Sequence, residues 1–170
     1  MLPSVKTDIV IKDACIFFDL IKLGLLEDFY RLKTVVYTTA QVLSEITNDE
    51  QMVQVQVHVD AGQLIIDEAG DLDAIMAIIR KNRGLSFTDA SVLELAKRKD
   101  AAVLSSDMLL RKETAARNLG VRGILWVLEE LYLQRVLELE KMLTCLDEYR
   151  DKNPWSPKKE IAQLKSKYCS

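Results

Sequence analysis

One histidine, three cysteines and six glycines in 170 residues leave little room for several kinds of chemistry. The single His58 has no serine or cysteine placed around it in a recognisable way, so no Ser–His or Cys–His nucleophile is expected. It reads as a surface residue. Cys15, Cys145 and Cys169 are odd in number and widely spread. They suit neither a disulfide framework nor a zinc site, and a reducing cytoplasm is the expected setting. The glycines never gather into a phosphate-cradling loop. No stretch approaches the ~18 uninterrupted apolar residues of a membrane span. Asp8 and Asp13 interrupt the opening too early for the apolar core of a signal peptide. There is no internal repeat and no low-complexity tract. A global basic face is also missing, because the net charge is −3. Local basic groups remain at Arg80, Lys81 and Arg83, at Lys97, Arg98 and Lys99, at Arg111 and Lys112, and along the C-terminal end. A nucleic-acid substrate is therefore allowed but not announced.

What the chain does have is apolar residues, 49% of the total, enough for a packed core. They are arranged in alternating periods. "DIVIK" is a β-branched strand, and "DACIFFDLIKLGLLEDFYRL" has helical spacing interrupted near Gly24. "KTVVYT" is a second strand, after which Thr38 or Thr39 caps the helix "TAQVLSEI". "TNDEQMVQVQVHV" carries two signals. Thr47 and Glu50 fit a capping box, while "VQVQVHV" alternates with period two; helix is favoured. "QLIIDEA" is a strand and "DLDAIMAIIRKN" a helix ending near Gly84. "DASVLELAKRK", "AAVLSS", "DMLLRKETAARNLG" and "VRGILW" follow as helix, strand, helix and strand. Such alternation predicts an α/β fold, a parallel sheet flanked by helices on both faces. Beyond it the pattern is helical only, broken at "NPWSP", where Ser156 is expected to cap the last helix with Pro157 in its first turn. The expected organisation is an α/β domain over residues 1–131 and a helical hairpin over 132–170 packed on the same domain.

In open parallel sheets, sites form beyond the carboxyl ends of the strands. Asp13 directly follows the first strand, and Asp107 follows "AAVLSS" in the same way. Asp89 stands at a helix start just before that strand. Glu45 lies in the helix after the second strand. Asp89 and Asp107 have an innocent explanation as helix caps, and Glu45 as a solvated helix residue. Together the four acids converge on one edge. Crowded carboxylates repel unless a cation neutralises them. Mg²⁺ or Mn²⁺, which take oxygen ligands, are the natural neutralisers. Asp19, Asp67, Glu68, Glu94 and Asp100 are assigned to surface, loops or turns, with Asp19 the strongest candidate to belong to the site instead.

The order "DAC", "VLSEI", "LSFTDASVLELAKRKDAAVLSSD" and "LGVRGILWVLEEL" resembles the PIN-domain ribonucleases, particularly the VapC-type toxins of prokaryotic toxin–antitoxin pairs. The resemblance covers roughly residues 9–131, and its central stretch is the most specific part. It implies that Asp13, Glu45, Asp89 and Asp107 are the catalytic acids, with Asp13, Asp89 and Asp107 holding Mg²⁺ or Mn²⁺. Ser105 and Ser106 match small polar positions before the fourth acid, and Thr88 matches the residue before the third. The chain departs from the pattern at Ala14 and Cys15, where the family usually carries Thr, Ser or Asn. It also has Ser106 where some members carry a second acid.

The resemblance implies a metal-dependent endoribonuclease, a homodimer, and an antitoxin protein covering the acidic groove. Arg111 and Lys112, one turn beyond Asp107, are candidates for contact with RNA phosphates, alongside Ser105 and Ser106. Two other classes stay open. One is a non-catalytic binding protein of the same fold, its acids kept as caps. The other is a phosphoryl-accepting regulatory domain, which would need a lysine at the end of a late strand; "AAVLSS" and "VRGILW" supply none.

Overall fold

The computed structural model describes residues 8–106 and 118–169. Five strands form one parallel sheet: β1 (Ile9–Ile11), β2 (Val36–Thr39), β3 (Leu64–Asp67), β4 (Ala102–Leu104) and β5 (Val121–Arg122). Their order is β3-β2-β1-β4-β5. The first three strands build outward from β1 on one side, and β4 and β5 on the other. The direction of winding therefore reverses between β1 and β4, which pair in register from Ile9 with Ala102 to Ile11 with Leu104. Side chains of successive strand residues point to opposite faces. Ile9, Val10 and Ile11 are all fully buried, so both faces of the sheet are covered, as parallel sheets require.

The covering helices are α1 (Ala14–Lys22), α2 (Leu26–Phe29), α3 (Ala40–Ser44), α4 (Asp49–Asp60), α5 (Leu72–Lys81), α6 (Phe87–Lys99) and α7 (Ile124–Leu133). A hairpin of α8 (Leu139–Lys152) and α9 (Lys158–Tyr168) completes the chain. The expected α/β architecture with a C-terminal helical hairpin is what the chain adopts. Phe17 and Leu25 are fully buried and Ile21 packs beside them, so these residues belong to the core. Among the described residues no helix is long and apolar enough to cross a membrane.

Several boundaries differ from expectation, each for a local reason. The "VQVQVHV" segment is helical, as favoured, but its cap is Asn48, whose side chain accepts from the amide of Gln51, and not Thr47. Helix α6 starts before Asp89, with Ser86 as its N-cap. The strand at "VRGILW" stops at Arg122, and Gly123 caps α7 directly. Ser156 does not cap α9. Its hydroxyl donates backwards to the carbonyl of Arg150, and Pro157 takes the cap position. His58 is buried, stacked on Tyr30 at 4.3 Å between centroids and 2.8 Å from the Gln63 side-chain oxygen through Nδ1.

Candidate acidic site at the sheet switch point

The crevice beyond the ends of β1 and β4 lies where parallel sheets of this kind place their sites. Asp13 leaves β1 and becomes the N-cap of α1. Its Oδ1 accepts from the Ile16 amide at 3.3 Å. Its Oδ2 accepts from the Ser105 hydroxyl at 3.3 Å and lies 3.9 Å from the Lys12 ammonium. Ser105 is fully buried and its amide donates to the Arg122 carbonyl. The exit of β4 is thus clamped between β5 and the cap of α1.

Asp89 reaches the same point from α6. It occupies the third position of that helix, in a reciprocal capping box with Ser86. The Ser86 amide donates to Asp89 Oδ2 at 3.0 Å, and the Asp89 amide donates to Ser86 Oγ at 3.0 Å. The other oxygen, Oδ1, lies 3.1 Å from the Lys12 ammonium. Lys12 is itself buried, 8% exposed. Each aspartate therefore commits one oxygen to a helix N-terminus and turns the other toward a single ammonium. Glu45, the C-cap of α3, extends its Oε2 to 3.5 Å from the Ala14 amide. A carboxylate at that end of α1 is favoured by the helix dipole.

The structure thus brings Asp13, Asp89, Glu45 and Ser105 around the start of α1. Ser106 follows Ser105 and lines a neighbouring cleft together with Cys15 and Asp19 of α1. Asp107, Arg111 and Lys112 lie outside the described residues.

Two residues that the sequence reasoning did not place in the site adjoin it. Lys12 passed unnoticed, although its position immediately before Asp13 at the end of a strand was a usable signal. Asp19, on α1, has its carboxyl pushed up to about 6 by burial. The Lys22 charge opposes this rise and the Asp13 charge adds to it. Cys15 cannot serve as a ready nucleophile, because burial and the charges of Asp13 and Asp19 raise its thiol pKa and disfavour the thiolate. Glu94, expected at the surface, is buried. It pairs with Arg98 at 2.8 Å, and Arg98 also holds Asp67 at 2.6 Å.

The donors facing the crevice are oxygens, which suit a hard divalent cation. Two of them already converge on a positive charge. Among the described residues no three acids, histidines or cysteines come together as a metal site of their own. The donor chemistry fits Mg²⁺ or Mn²⁺.

A family model described as DUF3368, PIN domain, matches residues 9–169. Among solved structures, the chain is similar to that of the crystal structure of PAE2754 from Pyrobaculum aerophilum. The TM-score is 0.57 at 16% identity, over 76% of this chain and 98% of that one. At that identity the likeness concerns the fold. No curated protein matches the chain.

Proposed function

The chain belongs to the PIN-domain family, whose members are typically nucleases, and from that premise we propose that it is a metal-dependent endoribonuclease. The observation that carries the proposal is the convergence of Asp13 Oδ2 and Asp89 Oδ1 on one buried positive charge at the switch point of the sheet. Asp13, Asp89 and Asp107 would hold Mg²⁺ or Mn²⁺. When bound, the ion would polarise the phosphodiester and make water a stronger nucleophile. Ser105 fixes the orientation of Asp13 through its hydroxyl. Glu45, whose carboxylate lies beside the start of α1, would orient a water near Asp13. Ser106, Arg111 and Lys112 would meet the RNA backbone.

The test is cleavage of a single-stranded RNA by the purified chain. Activity is expected with Mg²⁺ or Mn²⁺ and absent in EDTA. Asp13→Asn and Asp89→Asn should each lower it by more than the ~10–100-fold typical for loss of an outer-shell partner. Equal cleavage in EDTA and in Mg²⁺ sinks the proposal.

Within this function, the toxin of a toxin–antitoxin pair is the biological role we favour, acting in the cytoplasm as a homodimer held in check by an antitoxin protein. A small neighbouring reading frame encoding a DNA-binding fold, and growth arrest that Asp13→Asn relieves, are the expected findings. One observation favours a second reading, a non-catalytic PIN-like binding protein: the Lys12 ammonium already supplies a counter-charge to Asp13 and Asp89. Absence of any Mg²⁺- or Mn²⁺-induced rise in Tm would select it.

A further inference from the structure

The turn between α8 and α9 raises an indole into solvent. Trp155 is 92% exposed, the most exposed of the large apolar side chains among the described residues. The backbone that carries it is fixed. The Asn153 side chain accepts from the Trp155 amide at 3.0 Å, and the Asn153 carbonyl accepts from the Ser156 amide at 3.0 Å. Ser156 is buried and anchored to the Arg150 carbonyl. Pro154 and Pro157 restrict the backbone on either side. A tryptophan presented on an anchored turn, with its ring open to solvent, offers a face on which a planar group can stack.

Trp155 stands between two connected clefts. One, of about 780 Å³, is lined by Ser106, Arg122, Trp126 and Trp155. The other, of about 450 Å³, is lined by Cys15, Asp19, Lys22, Ser106, Lys152 and Trp155. Ser106 belongs to both and directly follows Ser105, whose hydroxyl holds Asp13, and Cys15 and Asp19 of α1 line the second, so the clefts border the acidic crevice and extend to the exposed indole. Its cationic groups flank it. The Arg122 guanidinium lies 5.8 Å from the Trp126 ring centre, and its buried Nε has no hydrogen-bond partner. Among the described residues no carboxylate pairs with Arg122. Lys22 and Lys152 line the other cleft, Lys152 paired with Glu148 at 3.1 Å, and Glu160 and Asp19 are the acids that line the two clefts. Stacking surfaces interleaved with cations, leading into an acid-lined crevice, match a strand whose bases are free to stack and whose phosphates are negative. A duplex, with its bases already stacked inside, offers no such face.

We propose that this groove is a binding site for single-stranded RNA, in which Trp155 stacks on an unpaired base a short distance from the scissile phosphate while Arg122 meets the backbone. The proposal rests on the ribonuclease reading of the acidic crevice and adds to it a base-stacking subsite on the C-terminal hairpin. Trp155 is a positioning residue, since it touches substrate away from the reacting atoms.

The test is fluorescence anisotropy of a labelled single-stranded oligoribonucleotide with the full chain in EDTA, where turnover is suppressed. Trp155→Ala should weaken binding about tenfold, in keeping with the loss of one base–aromatic stack. Trp155→Phe should retain most of the affinity, Tm should not change in either variant, and an RNA duplex should show no dependence on Trp155. Binding should also weaken as salt rises, with a shallower slope in Arg122→Gln. Equal affinity of wild type and Trp155→Ala overturns the proposal. So does failure of wild type to bind a single strand. A change in self-association on light scattering, with RNA binding unaltered, overturns it in favour of a second copy of the chain. Cleavage assays on the same variants separate the two readings. Trp155-dependent binding without cleavage in any metal leaves the groove standing and removes the nuclease. Metal-dependent cleavage with binding indifferent to Trp155 does the reverse.

Discussion

A carboxylate has two oxygens, and the two aspartates of the crevice divide them between tasks. Asp13 and Asp89 each hold a helix start with one oxygen and face Lys12 with the other. Capping and cation binding are therefore not alternatives here. An asparagine keeps a capping oxygen but loses the charge. Asp13→Asn should thus change stability by less than the ~1 kcal/mol typical of losing a cap to alanine, while removing activity. Thermal melting beside cleavage assays checks the split. Lys12 competes for the same two oxygens. Replacing it with methionine should destabilise the metal-free protein, since two facing carboxylates lose their counter-charge. The rise in Tm on adding Mg²⁺ should then be larger in Lys12→Met than in wild type, because stabilisation by a ligand follows its affinity for the folded state. An equal rise would mean that ammonium and metal do not share a seat. Asp19 gives a pH signature. Its folded value of about 6 lies above the ordinary 3.8, so the folded state holds a proton that the unfolded chain releases. The group's contribution to stability falls as pH rises between those values, and its cost is complete above about 6. Asp19→Asn carries no such cost. It should melt above wild type at pH 7 and level with it below pH 4, by a modest margin because water still screens the partly buried group.

At the scale of elements, periodicity was legible where one face of a segment decides its burial. The four strands before residue 106 and the helices between them follow from apolar spacing alone. The exact ends were less so, because they depend on which of several adjacent polar groups wins a backbone amide. At α4 it is Asn48 and not Thr47, and at α6 it is Ser86, three residues before the acid that the sequence made conspicuous. Asp13 and Asp89 could be singled out from spacing, since strand ends and helix starts are local. Their sharing of Lys12 could not, because it joins elements 77 positions apart in the chain by arithmetic on 12 and 89. The same limit hid Glu94. Its helical spacing suggests a solvated face, yet it is 5% exposed and joins α6 to the end of β3 through Arg98 and Asp67. The two carboxylates raise the Arg98 pKa further above its ordinary value through their hydrogen bonds. Arg98→Ala should leave Glu94 buried without a counter-charge and cost about 2–3 kcal/mol, below the figure for a fully enclosed pair because Arg98 is partly solvated. Arg98→Ala with Glu94→Gln should recover part of that loss, which a double-mutant cycle by urea denaturation measures.

At the scale of the whole molecule, the C-terminal hairpin is the part whose role composition left most open. Its lysines suggest a basic arm, but the two on α9 nearest the C-terminus are already engaged. Lys165 pairs with Asp147 at 2.6 Å, and Lys167 and Tyr168 both donate to Glu129 on α7. Ile161 is 1% exposed, packed into the shared core. Helix α9 is therefore a structural cover, and the groove beside it is served by the turn that precedes it. Deleting residues 153–170 should uncover the seat of Ile161 and lower Tm by about 4–20 °C, given the ~2–4 °C per kcal/mol of a chain this size and the ~2–5 kcal/mol of one large buried aliphatic side chain. The loss should depend on pH in a definite direction. Burial raises the Glu129 carboxyl, but the hydrogen bonds from Lys167 and Tyr168 outweigh it and leave the group below its ordinary value. The hydrogen bond from Lys165 likewise lowers Asp147. Groups depressed in the folded state stabilise it above their unfolded pKa and cease to do so as pH falls through the folded value. The gap in Tm between full-length and shortened chains should accordingly narrow in acid while remaining open through the Ile161 contribution. A shortened chain that melts with the full-length protein at neutral pH would show that α9 is a dispensable arm, and would return its lysines to the pool available for RNA.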